Sequence, residues 1–226
     1  MVSSIAQKNS EAWNITGYRL GQANLLSSDG IVEVKMYRAA QSADPYLKPS
    51  FSLSNRLGRL AWSIIWTFLF RISPRPFHSW RAFLLRCFGA QLGPHCHFYP
   101  SCRIWAPWNL VCADGVTLGD EAEIYNPSPV SMGSHAIVSQ QAYICGATHD
   151  YNDPAFPLIS FPMSVGAYSW VCARASVCPG VNVGEGAVLG LGSVATRDLE
   201  PWTVYAGVPA QPVKQRVERE QGSAAR

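Results

Sequence analysis

Aliphatic residues recur every six positions through the middle of this 226-residue chain, and that period constrains the fold more than any local propensity does. From Leu92 the hexads run "LGPHCH", "FYPSCR", "IWAPWN" and "LVCADG". The beat slips by two to "LGDEAE" at Leu118 and "IYNPSP" at Ile124, slips by two again, and resumes as "MGSHAI", "VSQQAY" and "ICGATH". After a break come "VGAYSW", "VCARAS", "VCPGVN", "VGEGAV" and "LGLGSV". The first place is almost always aliphatic, Gly or another small residue often follows, and the fifth is usually Ala, Ser, Thr, Cys or Val. An α-helix needs a period of about 3.6, and Gly at a fixed phase would weaken it. Two small places per hexad suit short flat walls joined by tight corners. The expected fold is therefore mainly β, a parallel β-helix with three hexads to a coil. One coil cannot bury its own faces, so successive coils must stack.

Around the repeat, residues 1–53 read as an N-terminal extension with a strand at "IVEVKMYRA", and 54–90 as a helical segment. Residues 91–200 form the β-helix, interrupted by a protruding loop over 150–164, and 201–226 a short charged tail. Within the helical segment, Trp80, Phe83, Leu84, Cys87 and Phe88 make a helical apolar stripe. The run "LAWSIIWTFLF", Leu60–Phe70, is too short to span a bilayer, which needs about 20 residues. Arg56, Arg59, Arg71, Arg75, Arg81 and Arg86 crowd this region. The run is expected to be a buried or subunit-packed helix, with a membrane-interface contact as the alternative.

Composition narrows the function. With 48% hydrophobic and 15% charged residues the chain is globular rather than disordered. A net charge of +3 gives no general case for nucleic acid. The first thirty residues lack the features of a secretory signal, which points to the cytoplasm. Seven cysteines without a CxxC pair do not form a disulfide or zinc framework. Cys96 and Cys102 take fifth places and Cys145, Cys172 and Cys178 second places, as small apolar fillers. In His95-Cys96-His97 alternation along a strand turns Cys96 away from both histidines, so no metal is expected.

The repeat breaks just after His149. Histidine is the side chain best suited to take a proton near neutrality. His78, His95, His97 and His135 sit in regular surroundings and read as structural. His149 lies where a rigid coil meets an irregular, proline-rich loop, a usual location for function. From the residues alone, a catalytic base and a hydrogen-bonded loop histidine are equally supported.

The segment "VSMGSHAIVSQQAYICGATHD" resembles the maltose and galactoside O-acetyltransferases, members of the hexapeptide-repeat acyltransferases. That resemblance implies a left-handed β-helix, against the usual crossover rule, and a homotrimer with active sites between prisms. It implies acetyl-CoA as donor, no metal, and His149 as the base that deprotonates an acceptor hydroxyl. Asn126 matches an acceptor-binding asparagine, the alternative being a coil-corner residue. Asp150 would support His149 or cap the loop. Tyr125, Tyr151 and Phe156 would help shape the acceptor site. The run from Tyr168 to Lys214 is similar to the family's coenzyme A half, which places Trp170, Ala173, Gly192, Thr196, Arg197 and Lys214 around the cofactor, the tail completing that site. Gln211 stands where the family has an arginine. "SPRPFHSWRAFLLRCFGAQLG", "RIWAPWNL" and "THDYNDPAFPLIS" resemble more narrowly the exopolysaccharide acetyltransferases of the colanic-acid type. These imply a sugar or lipid-linked oligosaccharide acceptor at the inner membrane face. The rival readings are another small acceptor, such as an antibiotic, or a non-catalytic β-helix scaffold.

Overall fold

The computed structural model describes residues 50–217, together with the backbone at 26–27, 30–31 and 37–38. The hexads form three parallel walls. The first stacks Gln91–Leu92, Leu110–Cys112, Val130–Met132 and Met163–Val165, and bridges at Val183 and Leu199 continue it. The second stacks His97–Phe98, Thr117–Leu118, Ile137–Val138, Trp170–Val171, Val188–Leu189 and Thr203–Gly207, closed by the antiparallel strand Ala210–Gln215. The third stacks Arg103–Ile104, Glu123–Tyr125, Tyr143–Cys145, Ser176–Val177 and Val194–Ala195. The molecule is thus a β-solenoid.

Inward residues stacked from coil to coil build the core, and the first wall adds a second buried row, Leu110, Val130 and Met163. Cys112, Met132, Val165, Val183 and Leu199 form one buried ladder, with half-buried Leu92 at its start. Phe98, Leu118, Val138, Val171 and Leu189 form the second, and Ile104, Ile124, Ile144, Val177 and Ala195 the third. Small residues fill the corners, and burial pushes the Cys102 thiol up to about 12, so it packs as a neutral group. Some corners admit only glycine. A Cβ on Gly133 would lie 2.4 Å from the Ala167 nitrogen of the next coil.

The ladders correct the expected register. Leu92 pairs with Cys112, not Leu110, so the first slip precedes Leu110, at the tight turn Pro107–Asn109. Leu110 is itself buried and pairs with Val130, which disguised the shift. The second slip, at Asn126–Pro129, and the long break both fall at the same corner, between the third wall and the first. An inserted corner prevents the next coil from closing tightly above it, so irregularities share one edge. The expected loop over 150–164 is also shorter than read. Ala147–His149 and Leu158–Ser160 pair antiparallel as a hairpin, to which the backbone of Tyr37–Arg38 adds a third strand, and Met163–Val165 already belongs to the first wall. Within "IVEVKMYRA", Ile31 ends the strand Gly30–Ile31, which pairs with Leu26–Ser27, and Tyr37–Arg38 belongs to the hairpin sheet; the remaining residues of that reading lie outside the described ones.

A helical hairpin caps the open end of the first coil. Helix α1, Leu53–Ile65, starts at Ser52, whose hydroxyl accepts from the Asn55 amide, and continues as a wider turn through Trp66–Phe70. Helix α2 spans His78–Cys87. Carbonyls at the end of a solenoid have no further coil to bond. Here Trp62 donates to the Ile104 carbonyl at 2.7 Å, Trp66 to Cys102 at 2.8 Å, and Arg81 to Phe98 at 2.5 Å. The run Leu60–Phe70 is therefore only half core: Trp62, Trp66 and Phe70 are buried, whereas Leu60, Ile64 and Phe68 are exposed. The stripe expected on α2 is displaced as well. Its buried residues are Arg81, Ala82, Leu84 and Leu85, while Trp80, Phe83 and Cys87 face outward. Arg81 can be buried because backbone carbonyls surround its guanidinium.

Candidate active site

His149 ends the first strand of the hairpin at the edge between the third and first walls. That strand leaves the coil under tight control. The Gly146 amide donates to the Tyr125 carbonyl at 2.7 Å, and the Phe161 amide to the Gly146 carbonyl at 2.9 Å. A Cβ at position 146 would lie 2.5 Å from the Tyr125 oxygen, so only glycine lets the chain pass. Ser128 reaches Ser160 at 2.7 Å and ties the return strand to the coil below.

The imidazole is oriented by Phe156. The two rings stack at 4.5 Å with an interplanar angle of 11°, and His149 Nδ1 lies 3.0 Å from the Phe156 carbonyl oxygen. A carbonyl only accepts, so Nδ1 carries the proton in this bond and Nε2 keeps its lone pair. Phe156 presents its carbonyl from a left-handed conformation, φ 41°, supported by its amide donating to the Asp153 carbonyl at 2.7 Å.

Among the described residues, no hydrogen bond or ion pair links Asp150 to the imidazole. Its carboxylate accepts from the amides of Asn152 at 3.1 Å and Asp153 at 3.2 Å and so caps the tip of the hairpin. Tyr151 is exposed there. Asn126 makes the bonds of a coil-corner residue, the alternative reading given above. It is fully buried, its Oδ1 accepting from the Ala106 amide and its Nδ2 donating to the Ala106 carbonyl, both at 2.9 Å. It stitches one corner to the next, as Asn109 also does by donating to the Asn126 and Pro127 carbonyls. Asn126→Ala should destabilise the fold by about 2–3 kcal/mol, because two buried backbone groups lose their partners. The folded variant should keep its KM for acceptor. A raised KM at unchanged melting temperature would restore the binding role.

Half-buried Tyr125 packs edge-on against Trp105 at 5.4 Å, and burial pushes its phenol up. Arg59 lies over the Trp105 ring at 4.4 Å. Sequence reading missed the Trp105–Arg59 pair beside Tyr125. The available signal was that Trp105 and Tyr125 hold equivalent places in successive coils.

The residues expected around the cofactor divide between two edges. Thr196 and Arg197 follow Val194–Ala195 at the same corner as His149. Ala173 and Gly192 lie at the corner between the second and third walls, where the Gly192 amide donates to the Ala173 carbonyl at 3.0 Å. Gly192 has φ 63° and open space where a side chain would stand, which leaves a bare ledge. Trp170 is exposed on the second wall, and Val188, Val204 and Lys214 follow it across the sheet. Gln211 is exposed on the same closing strand as Lys214. A single prism does not bring both groups to one point.

The fold is a hexapeptide-repeat solenoid with the candidate site residues at and beside its coil edges. No family model matches the chain. It is 35% identical over 159 residues to a protein described as a colanic acid biosynthesis acetyltransferase, WcaF, of Escherichia coli (strain K12), covering 70% of this chain and 87% of that one. The galactoside O-acetyltransferase of Escherichia coli is 29% identical over 120 residues, 52% of this chain and 54% of the relative. Among solved structures, a galactoside acetyltransferase in complex with coenzyme A superposes with a TM-score of 0.68 at 21% identity, covering 76% of this chain and 86% of that one. A hexapeptide-repeat acetyltransferase from Vibrio cholerae, complexed with acetyl coenzyme A, gives 0.66 at 19% identity over 75% and 93% of the two chains. The structural likeness concerns the fold, and the sequence likeness carries the assignment. The chain belongs to the hexapeptide-repeat acetyltransferases.

Proposed function

We propose that this chain transfers acetyl from acetyl-CoA directly to a sugar hydroxyl during assembly of a surface polysaccharide, with His149 as general base. The observation carrying this reading is the bond from His149 Nδ1 to the Phe156 carbonyl, which leaves Nε2 basic. As the acceptor oxygen attacks the thioester carbon, its proton passes to Nε2. Collapse of the tetrahedral intermediate breaks the C–S bond, and the proton returns to the departing thiolate. A thiolate is a competent leaving group, since its thiol has a pKa near about 8.5. One positioned base is therefore enough chemistry.

The donor would lie between two prisms of a homotrimer. One subunit supplies His149, Thr196 and Arg197, and its neighbour the Ala173–Gly192 ledge with Trp170 and Lys214. Small residues suit an extended pantetheine arm, and Arg197 and Lys214 suit phosphates. Without an arginine at Gln211, phosphate contact falls more heavily on Lys214. Tyr151 and Phe156 would flank the acceptor. The sugar reading follows the likeness to the colanic acid and galactoside relatives.

Mass spectrometry of polysaccharide from cells with and without active protein tests the proposal, together with coenzyme A release by the purified enzyme. A lost acetyl mass on one sugar is expected. An unchanged polymer, with acetyl delivered instead to a non-sugar acceptor, would overturn the acceptor assignment.

A further inference from the structure

The helical cap has an outer face that the fold does not use. Along α1 and its continuation, Leu53, Leu57, Leu60, Ile64 and Phe68 recur at three- and four-residue steps and are 51% to 66% exposed. This stripe lies opposite Trp62 and Trp66, whose indoles bind the first coil. The apolar surface continues onto α2, because Trp80 donates to the Leu69 carbonyl at 3.1 Å and stacks on Phe83 at 5.8 Å. Trp80, Phe83 and Leu69 are all exposed.

Charge accompanies the stripe. Between Asp44 and Asp114 the chain has no acidic residue, and it carries six arginines between positions 56 and 86. Arg56, Arg71 and Arg86 are exposed and none pairs with a described acid, although Arg71 lies over the Trp66 ring at 5.5 Å and Arg86 donates to the Leu92 and Gly93 carbonyls at 3.1 Å. Arg75 is paired with Asp120 and Arg81 is buried, so neither counts.

We propose that this face seats on an anionic lipid bilayer as a peripheral contact. An apolar stripe with tryptophan and flanking cations, on a helix too short to span, is the composition of an interfacial helix. No described helix is long and apolar enough to cross a membrane. A second copy is the poorer occupant, because self-pairing would set two arginine-bearing faces, whose own helices carry no acid, against each other. On a bilayer the aliphatic groups enter the acyl boundary while the guanidinium groups meet phosphates. The cap's outer face points away from the stack, so the coils rise from the membrane and the His149 hairpin, on the third coil, stands above it. The inference rests on this surface and not on the reaction.

Vesicle flotation of the full chain tests it, using phosphatidylcholine vesicles with and without phosphatidylglycerol at low salt. Wild-type protein should float with the anionic vesicles and less with the neutral ones. The triple variant Leu60→Ser, Ile64→Ser and Phe68→Ser changes only exposed side chains. It should melt normally and lose at least about tenfold in partitioning. Arg56→Glu with Arg71→Glu should abolish the preference for anionic lipid. The proposal fails if wild-type protein stays off the vesicles, or if the triple variant binds them as well. It fails equally if light scattering shows that the triple variant alters only oligomeric state, which would make the face a self-interface.

Discussion

Replacing His149 with alanine should leave the solenoid folded and reduce kcat for acetyl transfer by about 10²–10⁴-fold, the range for losing a positioned general base. The fold survives because backbone bonds hold the hairpin: His149 pairs with Leu158 and Ala147 with Ser160, and the Phe161 amide anchors the return to Gly146. The lost side chain forfeits one hydrogen bond and one ring stack, each about 1 kcal/mol. Coenzyme A binding should be unchanged by calorimetry, since the ledge proposed for the pantetheine arm, at Ala173 and Gly192, lies on a different edge. Asp150→Asn is the contrasting variant. Its carboxylate serves the amides of Asn152 and Asp153, which an asparagine oxygen also accepts, so turnover should stay near wild type. Near-wild-type turnover in His149→Ala would mean that the base lies elsewhere, and the proposed mechanism would be wrong.

That contrast marks what the sequence could disclose. The hexad period was legible because every inward position along a wall meets its counterpart in the next coil. Ile104, Ile124 and Ile144 name one ladder without a coordinate. The slip before Leu110 was not legible, because Leu110 and Cys112 are both buried and either could carry the beat. Amphipathic reasoning failed on α2 for a related reason. It assigns arginine to solvent and Phe83 to the core, whereas carbonyls exposed by the unpaired first coil draw Arg81 inward and displace the stripe. Prolines between Pro154 and Pro162 read as irregular loop, yet Leu158–Ser160 pairs with the strand bearing His149.

At the candidate site, the position of His149 beside the break was legible, but its neighbours were not. Asn126 and Asp150 are short polar residues near corners, and such residues either bind ligands or satisfy backbone. Choosing between the two requires knowing that Ala106 lies beside Asn126 in the preceding coil. The partner that matters, the Phe156 carbonyl, is a main-chain group and leaves no mark on residue identity. The collection of insertions at one edge explains why the histidine is there. A regular corner closes against the next coil, and only a widened corner can project a hairpin past the wall.

Arg81→Leu should be the most destabilising substitution in the cap, by about 3–5 kcal/mol, because several acceptors lose their donor at once, at about 1–3 kcal/mol for each one left buried. The side chain has no solvent exposure. Its guanidinium donates to the Phe98 carbonyl at 2.5 Å, the Ser73 hydroxyl at 2.7 Å, the Pro74 carbonyl at 2.8 Å and the Arg75 carbonyl at 2.5 Å. Leucine fills part of the volume and satisfies none of these acceptors. Two to four degrees per kcal/mol is typical of a domain this size, so the melting temperature should fall by roughly 6–20 °C. Arg81→Lys should fall between the two, because one ammonium cannot reach acceptors on both the Ser73–Arg75 turn and the first coil. Ser73→Ala removes a single partner and should cost about 1 kcal/mol. A melting temperature for Arg81→Leu within about 2 °C of wild type would contradict this account. It would show that the Trp62 and Trp66 bonds to Ile104 and Cys102 alone suffice to close the solenoid's first coil.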